Sequence, residues 1–161
     1  MDILKDLAAI VGTEFVTQDP SVLSEYVSDL SFTKGSQPEA VVCPKTTEEV
    51  SRIVKWANEK NIPLVPVSSP VHLYGTTVPK QGGVIVNMKR FDEIYEIDKV
   101  NRLVRFGVGV SWEKLTAALR EEGMRVIMPL APRAERAVAT DHLEREVTTS
   151  MVYDYGEPTQ S

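Results

Sequence analysis

Apolar and polar positions change period several times along this chain, and each change marks an element. Ile3, Leu4, Leu7, Ala8 and Val11 recur at helical spacing, which predicts a helix over 2–11, opened by Asp2 and ended by Gly12. PSVLSEYV (20–27) reads as a second short helix with proline in its first turn, and SFTKGSQP (31–38) as a polar loop with no assigned role. The apolar run EAVVC (39–43) predicts a strand closed by Pro44. After it, Val50, Ile53, Val54 and Ala57 fall at i, i+3, i+4 and i+7 behind a Thr46–Glu49 capping box. IPLVPV (62–67) is the next strand, placed at an edge or an end by its prolines. Strand, helix and strand with such short links predict a βαβ unit with parallel strands and a right-handed crossover.

Periodicity then stops. SSPVHLYGTTVPKQGG (68–83) holds two prolines, three glycines and four Ser/Thr residues. A loop this long inside a compact domain is functional or mobile. It leaves the carboxyl end of a strand in an α/β unit, where ligands gather, and its small residues allow close backbone approach to a phosphate. A plain surface connection is the other reading. The pattern resumes with VIVNM (84–88), a hairpin of IYEID (94–98) and RLVRFGV (102–108) with Val104, Phe106 and Val108 on one face, and a helix from Ser111 to Glu122 ended by Gly123. Trp112, Leu115, Ala118 and Leu119 form that helix's apolar stripe, and RVIM (125–128) is a short strand. From Pro129 no period is visible. Arg133, Arg136, His142 and Arg145 belong either to a solvated rim or to a positively charged ligand wall.

Composition narrows the classes. The chain has 161 residues, 42% of them hydrophobic and 25% charged, as in globular proteins. A net charge of −5 argues against nucleic acid as a partner but leaves room for an anionic small ligand. No apolar stretch is long enough to span a bilayer. The N-terminus, with Asp2, Lys5 and Asp6, is a poor signal peptide. The single Cys43 excludes a disulfide within the chain and suits a buried strand position and a reducing, cytoplasmic setting. Two histidines far apart in sequence give no metal-ligand pattern.

Three stretches together resemble the FAD-linked oxidase family of the vanillyl-alcohol oxidase or p-cresol methylhydroxylase type, in the branch of glycolate oxidase D-subunits and D-lactate dehydrogenase-like proteins. They are PEAVVCPKTTEEVSRIVKWANEKNIPLVPV, GGVIVNMKRFDEIYEID, and GVGVSWEKLTAALREEGM with Gly109, Leu115, Leu119 and Gly123 in register. The resemblance covers roughly residues 38–140. It implies an α+β fold: a two-lobed FAD-binding domain with a small βαβ lobe (1–90) and a larger mixed α+β lobe (91–161), incomplete at its C-terminus. FAD would lie between the lobes. Its diphosphate would rest on the loop Pro66, Val67, Ser68, Ser69, Pro70, Val71, His72, Leu73, Tyr74, Gly75, Thr76 and Thr77. Pro129, Arg133 and the segment Val138, Ala139, Thr140, Asp141 and His142 would border the flavin or its ribityl chain.

The loop departs from the family's Arg-Gly-x-Gly-Thr-Ser. Val67 to His72 stand there, and Gly75 alone falls on a family glycine; relatives in the branch carry a Ser-Ser version. A Gly-Gly pair that many relatives place near 137–141 is replaced by AVATD, and VATDHLERE (138–146) resembles the corresponding stretch of the Ser-Ser relatives. His72 lies about one position from the histidine that attaches flavin covalently in some members, so it is expected as a hydrogen-bonding or surface histidine. His142 could act as a base, with no pairing group visible in sequence. The function so implied is the FAD-binding module of a flavin-dependent oxidoreductase acting on a 2-hydroxy acid such as glycolate or D-lactate. A partner chain would supply the substrate or cap domain, and a homo-oligomer is compatible. The rival is a relative without flavin that acts as an interaction subunit and pairs through an exposed sheet edge.

Overall fold

A computed structural model of the chain describes residues 2–126 and 133–144. It forms one compact unit over Met1–Phe91 and a second beginning at Asp92.

The first unit is a four-stranded sheet with helices on both faces. Its elements are α1 (Ile3–Val11), β1 (Val16–Thr17), α2 (Pro20–Ser24), β2 (Ala40–Val42), α3 (Thr47–Lys60), β3 (Leu64–Val67) and β4 (Val84–Asn87). The strand order is β1-β2-β4-β3. β4 runs parallel to both β2 and β3, and β1 is antiparallel to β2. β3 is therefore an edge strand, where the missing N–H of Pro66 costs least. Period-two alternation divides the sheet's side chains. Ala40, Val42, Val84 and Val86 pack with Ile3, Leu7, Val11, Ile53, Trp56 and Ala57, while Val41, Ile85 and Val67 pack with Leu23 of α2.

Local signals set the helix ends. The Asp2 carboxylate accepts from Lys5 N, Asp19 caps α2, and Thr46 Oγ1 accepts from Glu49 N at 3.1 Å. Glu49 reaches back to Lys45 N at 2.6 Å, one residue earlier than a capping box requires. α3 stops at Asn61, which adopts a left-handed conformation. Its buried stripe is Ile53, Trp56 and Ala57 rather than the expected set with Val54, which is exposed. The large indole takes the inward position because its N–H donates to Asp6 at 3.0 Å. Trp56→Phe should therefore lower stability by about 1 kcal/mol, the value of one such bond, read from the urea midpoint. α2 ends at Ser24, three residues short of the expected Val27, because Tyr26 leaves the helix to accept from Asn87 Nδ2 at 2.8 Å. Cys43 lies just past β2 and is half-buried; burial pushes its thiol up.

The second unit packs a hairpin against α4 (Trp112–Glu121) and α5 (Val138–Glu144). β5 (Ile94–Asp98) and β6 (Leu103–Phe106) are antiparallel, with a register shift between Ile94 and Glu96. That bulge lets Ile94 and Ile97 reach the same core despite their three-residue spacing. With Val104 and Phe106 they cover Val110, Trp112, Leu115, Leu119 and Val138. Val108, expected on that face, lies beyond the strand and is exposed. The Asp98 carboxylate closes the turn by accepting from Val100 N and Asn101 N, both at 2.9 Å. Of the strand expected over 125–128, Arg125 and Val126 are not extended in a sheet and the rest lies outside the described residues. α5 is an element that periodicity missed. No helix among the described residues is long and apolar enough to cross a membrane.

Candidate functional site

The long loop leaves β3 at Ser68 and returns to β4 at Val84, so it begins at the carboxyl end of an edge strand in a parallel set. It makes two tight turns. In the first, the His72 ring closes back on the Ser69 carbonyl, with Nε2 at 2.7 Å. His72 and Ser69 are both buried. A surface histidine is thus corrected: the ring is a clasp inside the loop, with one nitrogen committed. In the second, Gly75 at φ +71° bends the chain, and the Val78 N–H donates to its carbonyl at 3.4 Å.

The polar segment before β2, to which sequence assigned no role, forms the floor of this loop. Leu30 N donates to the His72 carbonyl at 3.2 Å, and Ser36 N to the Pro79 carbonyl at 2.7 Å. Asp29 is central to the floor. One carboxylate oxygen accepts from Ser31 N at 2.8 Å and the other from Gly75 N at 2.7 Å. Burial alone would raise its pKa, but these hydrogen bonds, with the nearby His72, outweigh it and hold Asp29 below the usual 3.8. By linkage, the bonds contribute fully above about pH 4 and are lost as pH falls through the lower folded value. A Cβ on Gly75 would strike the Thr33 hydroxyl, so floor and loop fit only with glycine there. The readable signal was Asp29 two residues before Ser31, the spacing of an Asx turn.

Among the expected loop residues, Val67 turns its side chain into the core, so only its backbone is available to a ligand. Pro70, Tyr74 and Thr76 are exposed, and Ser68, Val71, Leu73 and Thr77 are half-exposed. The polar groups at its surface are therefore the hydroxyls of Ser68, Thr76 and Thr77 with the surrounding turn. The Gly75 amide is not among them, since it faces Asp29. A set of neutral O–H and N–H donors on small residues suits an anionic phosphate ester without a side-chain cation.

The second group of expected residues separates. Pro129 lies outside the described residues, and Arg133 is exposed. Asp141, expected beside a flavin, is instead fully buried in an ion pair with Arg136, Nη1 to Oδ1 at 2.7 Å. Its other oxygen accepts from the Trp112 indole at 2.5 Å. Val138 belongs to the apolar core, and Thr140 is buried. Arg136 is thus no member of a positively charged wall, because its charge is neutralised on the spot. Ala139 is half-exposed and His142 exposed. His142 stacks near Trp112, with ring centroids 6.1 Å apart, and Nδ1 lies 2.9 Å from the Val138 carbonyl. The start of α4 is closed as well, since Trp112 N and Glu113 N donate to the carbonyls of Arg136 and Ala134, each at 3.0 Å. No metal-binding cluster occurs among the described residues.

Comparison with known proteins follows this geometry. Residues 38–134 match a family model described as an FAD binding domain. Over 123 residues the chain is 30% identical to glycolate oxidase subunit GlcD of Bacillus subtilis (strain 168), covering 76% of this chain and 26% of that protein. Over 97 residues it is 37% identical to a D-lactate dehydrogenase of Archaeoglobus fulgidus, covering 60% of this chain and 21% of that protein. Among solved structures, substrate-bound p-cresol methylhydroxylase superimposes with a TM-score of 0.76 at 25% identity, covering 88% of this chain and 28% of that one. The chain thus spans about a quarter of the length of the relatives it matches.

Proposed function

The chain belongs to the FAD binding domain family, with FAD as its cofactor, and on that premise we propose that it is the cofactor-binding part of an oxidoreductase acting on a small 2-hydroxy acid such as glycolate or D-lactate. The observation that carries this reading is the 66–77 loop: hydroxyl donors at the carboxyl end of β3, braced from below by residues 29–36. FAD supplies the two-electron redox chemistry when bound. The chain's own residues bind and orient. The 66–77 loop would hold the diphosphate, with the Thr77 hydroxyl as a donor, and the His72 clasp fixes the first turn. The buried His72 ring, bonded to the Ser69 carbonyl, supports a role in shaping the loop rather than in covalent attachment. In this reading a partner chain supplies the substrate side.

The test is a titration of purified protein with FAD. A dissociation constant in the micromolar range or below, with quenched flavin fluorescence, is expected. No binding at high micromolar FAD would overturn the reading and favour an interaction subunit. Thr77→Val should weaken binding about 10-fold or more, since a lost hydrogen bond to a charged group is worth about 1.5–3 kcal/mol.

A further inference from the structure

We infer that Asp29 is a positioning residue for the cofactor loop, setting its shape from the floor in place of the glycine run that such a loop would otherwise need. The inference rests on the reading that residues 66–77 hold the FAD diphosphate.

A glycine-rich loop approaches phosphate closely because its backbone takes turns that other residues resist. Ser68, Ser69 and Pro70 lack that freedom, so something outside them must fix the path. On one side the His72 clasp does this from within, through the Ser69 carbonyl. On the other side the stretch from His72 to Gly75 is tied to the segment beneath it. Asp29 bridges the two with a single carboxylate, tying its own segment at Ser31 N and the loop at Gly75 N. Leu30 N, the next residue, binds the His72 carbonyl. Ser31 and Thr33 then crowd the Gly75 Cα so closely that no side chain is tolerated there. Three consecutive contacts, at Asp29, Leu30 and Ser31, thus fix the course of residues 72–75 and with it the direction of the Thr76 and Thr77 hydroxyls. A carboxylate is the group suited to this task, because it accepts two N–H bonds at once and charge strengthens both. Asparagine of the same shape would present an amide N–H₂ to one of the two donors and lose that bond.

The experiment compares wild type with Asp29→Asn and Asp29→Glu in the full chain. Amide hydrogen exchange is read without cofactor, and FAD affinity is read by fluorescence quenching. In wild type, the Gly75 amide should be among the protected amides of the loop. In Asp29→Asn, exchange at Gly75, Thr76 and Thr77 should accelerate at least 10-fold, while Val84 to Asn87 of β4 keep their protection, and the FAD dissociation constant should rise 10-fold or more. Asp29→Glu, which keeps the charge on a longer arm, should recover part of the affinity. Wild type that binds FAD, with Asp29→Asn binding equally well, overturns the inference and leaves the function standing. Wild type that fails to bind FAD overturns the function, and the inference falls with it. An unprotected Gly75 amide in wild type overturns the inference without any variant, so a misfolded substitution cannot leave it open.

Discussion

Asp141→Ala should be the most damaging single substitution in the second unit, lowering stability by about 3–5 kcal/mol. The magnitude follows from what stays behind. Arg136 and Asp141 have side-chain exposures of 4% and 2%, with Nη1 and Oδ1 2.7 Å apart. Removing the carboxylate leaves a buried guanidinium without its counter-charge, and breaking a buried pair by one partner costs that much. The Trp112 indole loses its acceptor in the same step, and a buried donor left unsatisfied adds about 1–3 kcal/mol if water cannot enter. Trp112 is also the reporter. Its fluorescence, followed through urea denaturation in a Trp56→Phe background, should show an earlier transition and a red-shifted folded signal. The paired substitution Arg136→Met with Asp141→Leu is the counter-test. It removes both charges together, so it should cost far less than Asp141→Ala alone, and equal losses would refute the ion pair as the cause.

The second large effect is expected at Gly83, where the loop re-enters the sheet. Gly83 has φ +85°, and a Cβ there would run into the backbone carbonyl of Pro63. That carbonyl already accepts from Val84 N at 2.8 Å, and the Gly83 carbonyl accepts from Glu39 N at 2.7 Å. Gly83 therefore sits between the strands that flank β4, held by backbone on both sides. Gly83→Ala should cost about 2–5 kcal/mol: about 1–2 for the left-handed backbone and about 1–3 for overpacking against atoms that cannot rotate away. Gly123→Ala separates the two contributions. Its φ is +69°, but no atom lies within 4 Å of the added Cβ, so only the backbone part of about 1–2 kcal/mol remains. Similar urea midpoints for the two variants would show that the Pro63 contact is not what makes Gly83 necessary.

Flavin loading bears differently on the two changes. Gly83→Ala disturbs the return of the 68–83 loop and, if the proposed diphosphate site is right, should weaken FAD binding as well as stability. Asp141→Ala acts from a buried position in the second unit. A loss of affinity there, beyond that explained by unfolding, would extend the proposed site beyond the 66–77 loop.

Sequence alone determined the elements whose signals are local. Thr46 and Ser111 announce their helices because a cap binds amides only two or three residues away. Continuous apolar runs announce β2 and β4, which are buried on both faces, and helical stripes announce α1 and α4, which bury one. The prolines of 62–67 called for an edge or an end position, and the structure has β3 at an edge, because a missing donor has the same consequence in any sheet. The family was legible too, since its motifs are made of these same local units. Tertiary structure alone decided the rest. Whether Val54 or Trp56 faces inward depends on Asp6, fifty positions away. α5 was hidden because its packing rests on a buried salt bridge, and Arg136 and Asp141 look like surface charges until they meet. Asp29 looked like one more polar loop residue, because its partner Gly75 lies forty-six positions on. The loop's composition marked it as a candidate ligand site, and the family resemblance made that ligand the cofactor. Its conformation is set by residues 29–36, and only folding brings that floor beneath it.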